Sequence, residues 1–400
     1  NSDIGKSNHL DLTFTYRTLK YLGSFADNPN EETVLGKINW NGTFLDNHLR
    51  SEMSYATSSS REILREFIFV PVVSGEGTHT WRDLNEDGIQ DVFEFFESIN
   101  FDERNYIKLF VPTDDFISAF NNLFNMNLSA SMPKKWNTVG GVREVLSKFS
   151  SRSSININKK NTDNSLNSRF NPFQLNTENE DLIFVKDAIR NTLFYNRSNP
   201  GFGFDLGYFA ARSKQLISSG IDSRNQYEWT VNGRKQITSE LSILASGLKG
   251  EKENQSDFFQ GKNYVISIHS VAPQVVWQPT SKFRLNWKAE YKKKENIKSE
   301  TLPEFSKITS LLMAVRWNKA LKSTMDGSFK FTSIDFSGEE NSPAGYELLE
   351  ALRPGNNFTW NFSYRQKLSN GLQVSLSYDG RKSVEQRVIH QGRMQVTALF

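Results

Sequence analysis

Residues 388–400 read V-I-H-Q-G-R-M-Q-V-T-A-L-F and contain two interleaved sets of side chains. Counting back in steps of two gives a mostly apolar set: Phe400, Ala398, Val396, Met394 and Gly392. The positions between them are mostly polar: Leu399, Thr397, Gln395, Arg393 and Gln391. A period of two predicts a β-strand whose faces meet different media. A terminal aromatic residue is typical of outer-membrane barrels, whose strands face lipid on one side and a wet lumen on the other. The last strand of a soluble sandwich fits this stretch equally well.

The same alternation recurs along the chain, and its spacing separates the two interpretations. Alternating stretches lie near 10–16, 38–44, 49–55, 124–130, 202–210, 227–231, 283–291, 311–317, 358–364 and 372–378. Short connections are expected near 196–201, 234–238, 278–282, 319–323 and 367–371. Long ones are expected near 158–183, 249–261, 292–307, 335–356 and 380–387, with 220–226 as a shorter member of that set. Connections that alternate in length favour an outer-membrane barrel over a soluble Greek key.

The sequence therefore predicts an all-β fold, a transmembrane antiparallel β-barrel of about 16 strands (range roughly 14–18) with short periplasmic turns and long external loops. Residues 1–400 are expected to form this single barrel. Charged side chains fall on the polar faces of the strands, where a wet lumen would accept them. These residues are Arg284, Glu290, Arg316, Arg365 and Arg393.

Composition excludes several classes of protein. The hydrophobic content of 37% and the mean hydropathy of −0.55 exclude a helical membrane protein, because a spanning helix needs about 18 or more apolar residues in succession. The absence of cysteine excludes disulfides, thiolate metal sites and a cysteine nucleophile. A net charge of +3 gives no indication of a nucleic-acid partner. Because no signal peptide is visible at Asn1, we expect a mature chain or the C-terminal part of a longer one.

Residues 57–115 interrupt the alternation and are expected to form an extracellular insertion. Within it, residues 83–94 read D-L-N-E-D-G-I-Q-D-V-F-E, which fits a twelve-residue calcium loop with glycine at the sixth position. The predicted ligands are Asp83, Asn85, Asp87, the carbonyl of Ile89, Asp91 and Glu94. Trp81 and Phe95 are expected to pack beside the ion. We predict one structural Ca2+ with no catalytic role; the alternative is an acidic turn without metal.

Other candidate sites are weaker. The five histidines show no paired ligand spacing, and no P-loop, G-x-S-x-G or dinucleotide-binding motif is present. His390, Ser383 and Asp379 lie within the reach of one hairpin, which leaves a barrel-embedded hydrolase of lipid or peptide as an alternative. The K-K-K run at 292–294 is interpreted as the solvated base of a loop, or as a contact with the phosphates of surface lipid.

Several stretches together resemble the C-terminal part of large, mostly uncharacterised outer-membrane proteins of Bacteroidetes-type bacteria. They include L-R-E-F-I-F-V-P-V (64–72), G-E-G-T-H-T-W-R-D-L-N-E-D-G-I-Q (75–90), Y-I-K-L-F-V-P-T (106–113), L-R-P-G-N-N-F-T-W-N (352–361) and G-R-K-S-V-E-Q-R-V-I-H-Q-G-R-M-Q-V (380–396). The resemblance implies a barrel fold and an outer-membrane location, but little biochemistry. Members of this family are longer, so it also implies that residues 1–400 are a C-terminal, barrel-bearing portion.

We therefore predict an integral outer-membrane barrel with loops facing outside, not an enzyme, that serves as a pore, anchor or scaffold. Its expected partners are outer-membrane lipid and lipopolysaccharide, and other outer-membrane or periplasmic proteins if it belongs to a larger chain or complex. Nucleic acid is not expected as a partner. Besides the hydrolase, the remaining alternative is a secreted, soluble, calcium-stabilised β-rich adhesin.

Overall fold

The structure is a computed structural model that describes most of the chain. The described residues are 2–3, 8–20, 31–138, 140–175, 181–217, 220–257, 260–299, 303–319, 322–368, 371–384 and 386–398. The predictions made for Leu399 and Phe400 lie outside these residues.

Nineteen strands of the described chain belong to one sheet, and three of them are only two or three residues long. The first nine are β1 Ser2–Asp3, β2 Asn8–Leu19, β3 Glu31–Phe44, β4 Leu49–Pro71, β5 His79–Trp81, β6 Phe95–Glu97, β7 Tyr106–Ser131, β8 Phe149–Asn161 and β9 Leu182–Tyr195. The next five are β10 Phe202–Ile217, β11 Gly220–Gln236, β12 Leu241–Ser256, β13 Tyr264–Thr280 and β14 Phe283–Asn296. The last five are β15 Glu304–Lys319, β16 Ser323–Ser337, β17 Gly355–Lys367, β18 Leu372–Lys382 and β19 Ile389–Ala398.

Helical segments are few and short in the described residues. The α-helices are α1 Gly141–Ser147, α2 Leu166–Phe170 and α3 Pro343–Leu349, and the 3-10 turns are Val92–Glu94, Phe101–Glu103, Lys134–Thr138 and Gln260–Lys262. None of the helices in the described part of the chain has the length and apolar character needed to cross a membrane.

The long strands form a continuous antiparallel ladder from β2 to β19. Each long strand pairs with the next long strand, and β4 pairs directly with β7 because β5 and β6 lie in the segment inserted between them. Removing the three very short strands from the nineteen leaves sixteen, so both the all-β class and the predicted strand number are confirmed for the described residues.

Contacts across the interior show that the sheet curls into a barrel. Arg224 of β11 lies 3.4 Å from Glu97, and Arg381 of β18 lies 2.7 Å from Asp102. In a flat sheet, strands seven places apart would be separated by about 34 Å, at about 4.8 Å per strand. Both strands nevertheless reach the same inserted segment, so the polar face of the sheet wraps around it.

The connections differ between the two ends of the barrel, as predicted. At the end that we name the short-connection end, strands are joined by residues 45–48, 196–201, 237–240 and 281–282, with 132–148 as a longer exception. At the opposite, long-connection end, the connections include residues 72–105, 257–263 and 338–354.

Strand boundaries at the long-connection end are wrong in the prediction. Residues 57–71 and 106–115 continue β4 and β7, so the segment outside the main ladder is 72–105 rather than 57–115. Residues 220–226 belong to β11, and β12 continues to Ser256. The apolar alternation fades in these extensions while backbone pairing continues, and side-chain pattern alone does not mark where pairing stops.

Helix α3 is a buried element that lies within the predicted long connection 335–356. Ser342 caps it by accepting a hydrogen bond from the Gly345 amide at 2.9 Å, and Pro343 occupies its first turn. The helix ends where Glu350 adopts a left-handed φ of 53°. Glycines with positive φ stand at both ends of the connection: Gly338 at 141° and Gly355 at 89°.

The apolar side of α3 packs on lumen-facing side chains of the barrel wall. Leu348 is fully buried in a cluster with Tyr264, Ile266 and Ala344, whereas Leu349 packs with Ile308 and Ile334. These wall residues interrupt an otherwise polar lumen face, and that interruption is the sequence signal for a docked helix.

We expect Leu348→Ala to loosen α3 within the lumen, because truncating a fully buried leucine costs about 2–5 kcal/mol. Protease cleavage within residues 338–354 of detergent-solubilised protein should be at least about tenfold faster, since about 1.4 kcal/mol corresponds to a factor of ten. Leu166→Ala is the matched control, because Leu166 of α2 is 72% exposed. Equal cleavage rates for the two variants would contradict the docking of α3.

Candidate metal centre

The predicted calcium loop lies in a small folded unit within residues 72–105. Strand β5 pairs with β6 and touches β7 at its base. Phe95 is 6% exposed, with its ring 4.1 Å from Phe69 and 4.9 Å from Tyr106 between centroids. His79 of β5 also packs on Phe69, at 5.0 Å between ring centroids, so aromatic contacts hold both strands that flank residues 83–94. Phe95 therefore packs next to the loop.

Side-chain oxygens shape the first half of the loop. The Asp83 carboxylate accepts a hydrogen bond from the Gly88 amide at 2.9 Å, and Asp87 accepts one from the Ile89 amide at 2.7 Å. Asn85 accepts one from the Asp87 amide at 3.2 Å. Gly88 has a φ of +73°, a conformation in which a side chain would be strained. The chain thus makes the sharp turn that the sixth position requires.

Glu94 closes the loop from its other end. Its side chain is fully buried, and one carboxylate oxygen accepts a hydrogen bond from the Trp81 indole at 2.8 Å. The other oxygen accepts one from the Leu84 amide at 3.0 Å. The Glu94 carboxylate therefore lies beside Leu84, the residue that follows Asp83 in the chain. Trp81 contributes a hydrogen-bond donor to Glu94.

One oxygen in the loop lacks a hydrogen-bond donor. Asp83 Oδ1 is buried and has no hydrogen-bond partner in the described part of the chain. A buried carboxylate oxygen without a donor is costly, and a hard cation would satisfy it. Asp83 also borders a cavity of about 550 Å³, which gives the loop access to solvent. The donor set of carboxylates, one amide and one carbonyl is the chemistry that Ca2+ prefers.

The remaining predicted ligands are not gathered around Asp83 Oδ1. Asp91 caps the 3-10 turn Val92–Glu94, and the side chain of Ile89 is 63% exposed. Among the described residues, no three acidic or histidine side chains converge closely enough to form a preformed metal site. The structure therefore presents a loop of the predicted length with the sharp turn at Gly88, and hydrogen bonds anchor Asp83 and Glu94 near its two ends.

Aromatic contacts join this unit to α3. The Arg82 guanidinium lies 4.5 Å from the ring centre of Tyr346, and the Phe96 ring lies 4.9 Å from the same ring. The Tyr346 hydroxyl donates a hydrogen bond to the Glu97 carbonyl at 3.2 Å. Burial raises the pKa of Tyr346 to about 12, so the hydroxyl remains a donor across the physiological range.

Residues 95–103 and 338–354 together form what we name the lumen plug. Arg381 of β18 binds Asp102 at 2.7 Å and Glu103 at 2.8 Å. The side chain of Asn100 donates a hydrogen bond to the Ala351 carbonyl at 3.3 Å. The plug is therefore bonded both to the barrel wall and between its own two segments.

Lysines on the lumen face hold the α3 half of the plug. Lys252 binds Glu347 at 2.6 Å, and Lys292 and Lys294 bind Glu350 at 2.8 and 3.1 Å. Burial alone would raise the pKa of Glu350, but the charges of Lys294 and Lys292 outweigh it and lower this pKa to about 2. Because the folded value lies below the ordinary 4.5, this stabilisation is present above about pH 4.5 and is lost as the pH falls towards 2.

The interpretation of residues 292–294 as a solvated loop base is wrong. All three lysines lie in β14, and Lys294 is only 4% exposed. Lys293 points to the opposite face and pairs with Glu295 at 2.7 Å. Because side chains alternate along a strand, Lys292 and Lys294 enter the lumen and Lys293 faces outward. The three like charges are therefore divided between the two faces of the sheet.

The hydrolase arrangement suggested by His390, Ser383 and Asp379 is not formed. His390 pairs across the ladder with Gly380, whereas Asp379 pairs with Gln391, so the two side chains lie on opposite faces of the sheet. His390 instead bonds to the Tyr378 hydroxyl at 2.7 Å. Asp379 lines a lumen cavity beside Arg381.

No protein-family model matches the chain, and neither does any curated protein. Solved structures give distant matches. The FrpB iron transporter from Neisseria meningitidis is 10% identical with a TM-score of 0.44, over 98% of this chain and 58% of that one. The ferric-catecholate import receptor Fiu from E. coli K12 is 10% identical with a TM-score of 0.42, over 96% of this chain and 62% of that one.

The toluene transporter TodX from P. putida covers 98% of this chain and 88% of its own, at 10% identity and a TM-score of 0.28. The chain thus spans about three fifths of FrpB and Fiu, at 58% and 62% of their lengths. At these identities and scores, the similarity carries no information about function.

We expect Trp81→Phe to destabilise the loop, because it removes a donor from a fully buried carboxylate. A loss of about 1–3 kcal/mol in the stability of the loop corresponds to a roughly 5- to 150-fold change in its local opening equilibrium. Limited proteolysis within residues 72–105 reports this change as faster cleavage. Trp229→Phe is the control, since Trp229 is 48% exposed on the outer face. An unchanged cleavage rate for Trp81→Phe would show that the indole hydrogen bond does not stabilise the loop.

Proposed function

We propose that the chain is an integral outer-membrane β-barrel that acts as an anchor or scaffold with an occluded lumen. The observation that carries this proposal is that apolar side chains are exposed on the outer face of the sheet while charged side chains are buried inside, the reverse of a soluble protein. Phe14 is 74% exposed, Leu311 55% and Met394 66%, all on the outer face, whereas the lumen-facing Lys294 is 4% exposed. At about 25 cal/mol per Å2, exposing so many apolar side chains to water is unfavourable, and a lipid environment removes that cost.

Aromatic side chains at the short-connection end support a membrane boundary there. Tyr195 lies 5.0 Å from Phe149 and 5.1 Å from Phe204, and Trp277 lies 5.9 Å from Phe283. Rings at this level are typical of the girdles at membrane–water interfaces. We assign the short-connection end to the periplasm and the long-connection end to the exterior. Outer-membrane lipid and lipopolysaccharide would then contact the outer face.

The lumen plug favours an anchor or scaffold over an open channel. Residues 95–103 and 338–354 occupy the lumen from the long-connection end and bond to β11, β14 and β18. A pore function would require these segments to move. Other outer-membrane or periplasmic proteins in a complex are the proposed partners of the scaffold.

The calcium loop would stabilise the external side of this assembly. Asp83, Asn85, Asp87, Asp91, Glu94 and the Ile89 carbonyl are the proposed ligands, and a bound Ca2+ would neutralise part of the acidic loop. The observation that supports an ion is that Asp83 Oδ1 is buried and has no hydrogen-bond donor among the described residues. Because Glu94 precedes Phe95 and Phe96 directly, ordering the loop also orders the plug residue that contacts Tyr346.

The membrane proposal predicts heat-modifiable migration in an electrophoretic gel. Protein extracted from membranes with detergent and left unheated should migrate as a compact, fast band that shifts on boiling. In planar lipid bilayers the same sample should conduct little current, because the plug occupies the lumen. Protein that stays soluble without detergent and shows no shift would contradict the proposal and favour the soluble adhesin.

The calcium proposal predicts that protease resistance of residues 72–105 depends on the ion. Calcium at about 100 times its dissociation constant should stabilise the loop by about 2.7 kcal/mol and slow cleavage by about 100-fold. Asp83→Asn should abolish this effect of calcium. Glu76→Gln should retain it, because Glu76 is an exposed acid of the same segment outside the loop. Cleavage of the unaltered protein at one rate with calcium and with chelator would exclude the site.

A further inference from the structure

The connection between β7 and β8 differs from its neighbours at the short-connection end. Residues 237–240 and 281–282 are tight turns, whereas 132–148 contains the 3-10 turn Lys134–Thr138 and helix α1. Gly140 and Gly141 have positive φ values of 72° and 66°, so the chain enters the helix through a sharp bend. This connection therefore contains a short helix, whereas the neighbouring strands are joined by tight turns alone.

Helix α1 is amphipathic, and its apolar side is exposed. Val142 is 75% exposed, Val145 48% and Leu146 39%, and their i, i+3 and i+4 spacing places them on one face. Arg143 is exposed at the edge of this face, three residues before Leu146, and on the opposite side Glu144 pairs with Lys148 at 2.9 Å. None of the residues of α1 is buried.

The helix adjoins the aromatic boundary of the outer face. The Lys148 carbonyl accepts a hydrogen bond from the Asn196 amide at 2.8 Å, which ties the end of α1 to the end of β9. The next residue, Phe149, stands beside Tyr195 on the outward face. The exposed apolar stripe of α1 therefore continues the apolar belt of the barrel.

The same connection is positively charged. By sequence, residues 132–148 contain Lys134, Lys135, Arg143 and Lys148 against the single acid Glu144, which gives 4 − 1 = +3. Cations flanking an apolar helix face are favourable next to anionic lipid headgroups, by about 1 kcal/mol for each Lys or Arg at the surface.

We propose that residues 132–148 form an interfacial foot that lies in the lipid headgroup layer at the short-connection end. Val142, Val145 and Leu146 enter the acyl boundary of that leaflet, and the lysines and Arg143 bind lipid phosphates. This inference rests on the proposed membrane function. The occupant is phospholipid for two reasons. The apolar face of α1 is continuous with the apolar belt of the barrel, and the net positive charge of residues 132–148 complements an anionic leaflet.

Because the chain contains no cysteine, single-cysteine variants give unambiguous spin-label positions. Val145→Cys reports the apolar face of α1, and Glu144→Cys reports its opposite face. Leu311→Cys, in the outer belt at 55% exposure, is the membrane control, and Ser239→Cys, in an exposed tight turn, is the water control. Each variant is reconstituted into phosphatidylethanolamine vesicles with or without phosphatidylglycerol. The collision rates of the label with oxygen and with a water-soluble nickel complex are then compared.

We expect the oxygen-to-nickel collision ratio of the Val145 label to be close to that of the Leu311 label. It should be several-fold above the ratios at Glu144 and Ser239. Phosphatidylglycerol should raise the ratio at Val145, and Lys134→Glu with Lys135→Glu should remove that increase. A Val145 ratio equal to that of Ser239, with Leu311 in lipid, overturns the foot and leaves the barrel intact. A Leu311 label in water overturns the membrane proposal and the foot with it.

Discussion

Pairing of neighbouring strands is the constraint on which the rest of this molecule depends. Each long strand carries an apolar face and a polar face, and the ladder from β2 to β19 keeps all sixteen in one alternating register. Tyr208 stands beside Trp229 on the outside, while Arg224 and Asn254 meet on the inside. A slip by one residue would exchange the two faces of a strand and place its charges among apolar neighbours.

The lumen face then requires partners for its own charges. Lys292 and Lys294 would be costly in the interior without Glu350, and Arg381 would be costly without Asp102 and Glu103. Breaking one member of such a pair leaves an uncompensated buried charge. The positive charges of the barrel wall and the negative charges of the plug therefore neutralise each other. Neither set of charged side chains would be well accommodated in the lumen alone.

The sequence was informative wherever a repeating pattern reported directly on the environment. The alternation in β11 and β19 marked strands correctly, and the repeated spacing yielded the number sixteen. Residues 83–94 were identified as a loop with a sharp turn at Gly88, which the structure has. Whether an ion binds there stays a prediction.

Other features were missed because they depend on distant contacts. Helix α3 is seven residues long, and its burial depends on Ile266 and Ile308 from strands that no local pattern connects to it. The role of Lys292 and Lys294 follows from Glu350, which lies more than fifty positions away. His390 and Asp379 are close along one hairpin, but the alternation of side chains places them on opposite faces of the sheet.

The glycine-flanked connection that carries α3 has a consequence for any solute that enters the lumen. With Gly338 and Gly355 as its two fixed ends, α3 behaves as a ligand tethered to its own binding site. Tethering of this kind gives an effective concentration of about millimolar or more. A solute that occupied the site on Tyr264, Ile266 and Lys294 would have to compete with a ligand that never diffuses away.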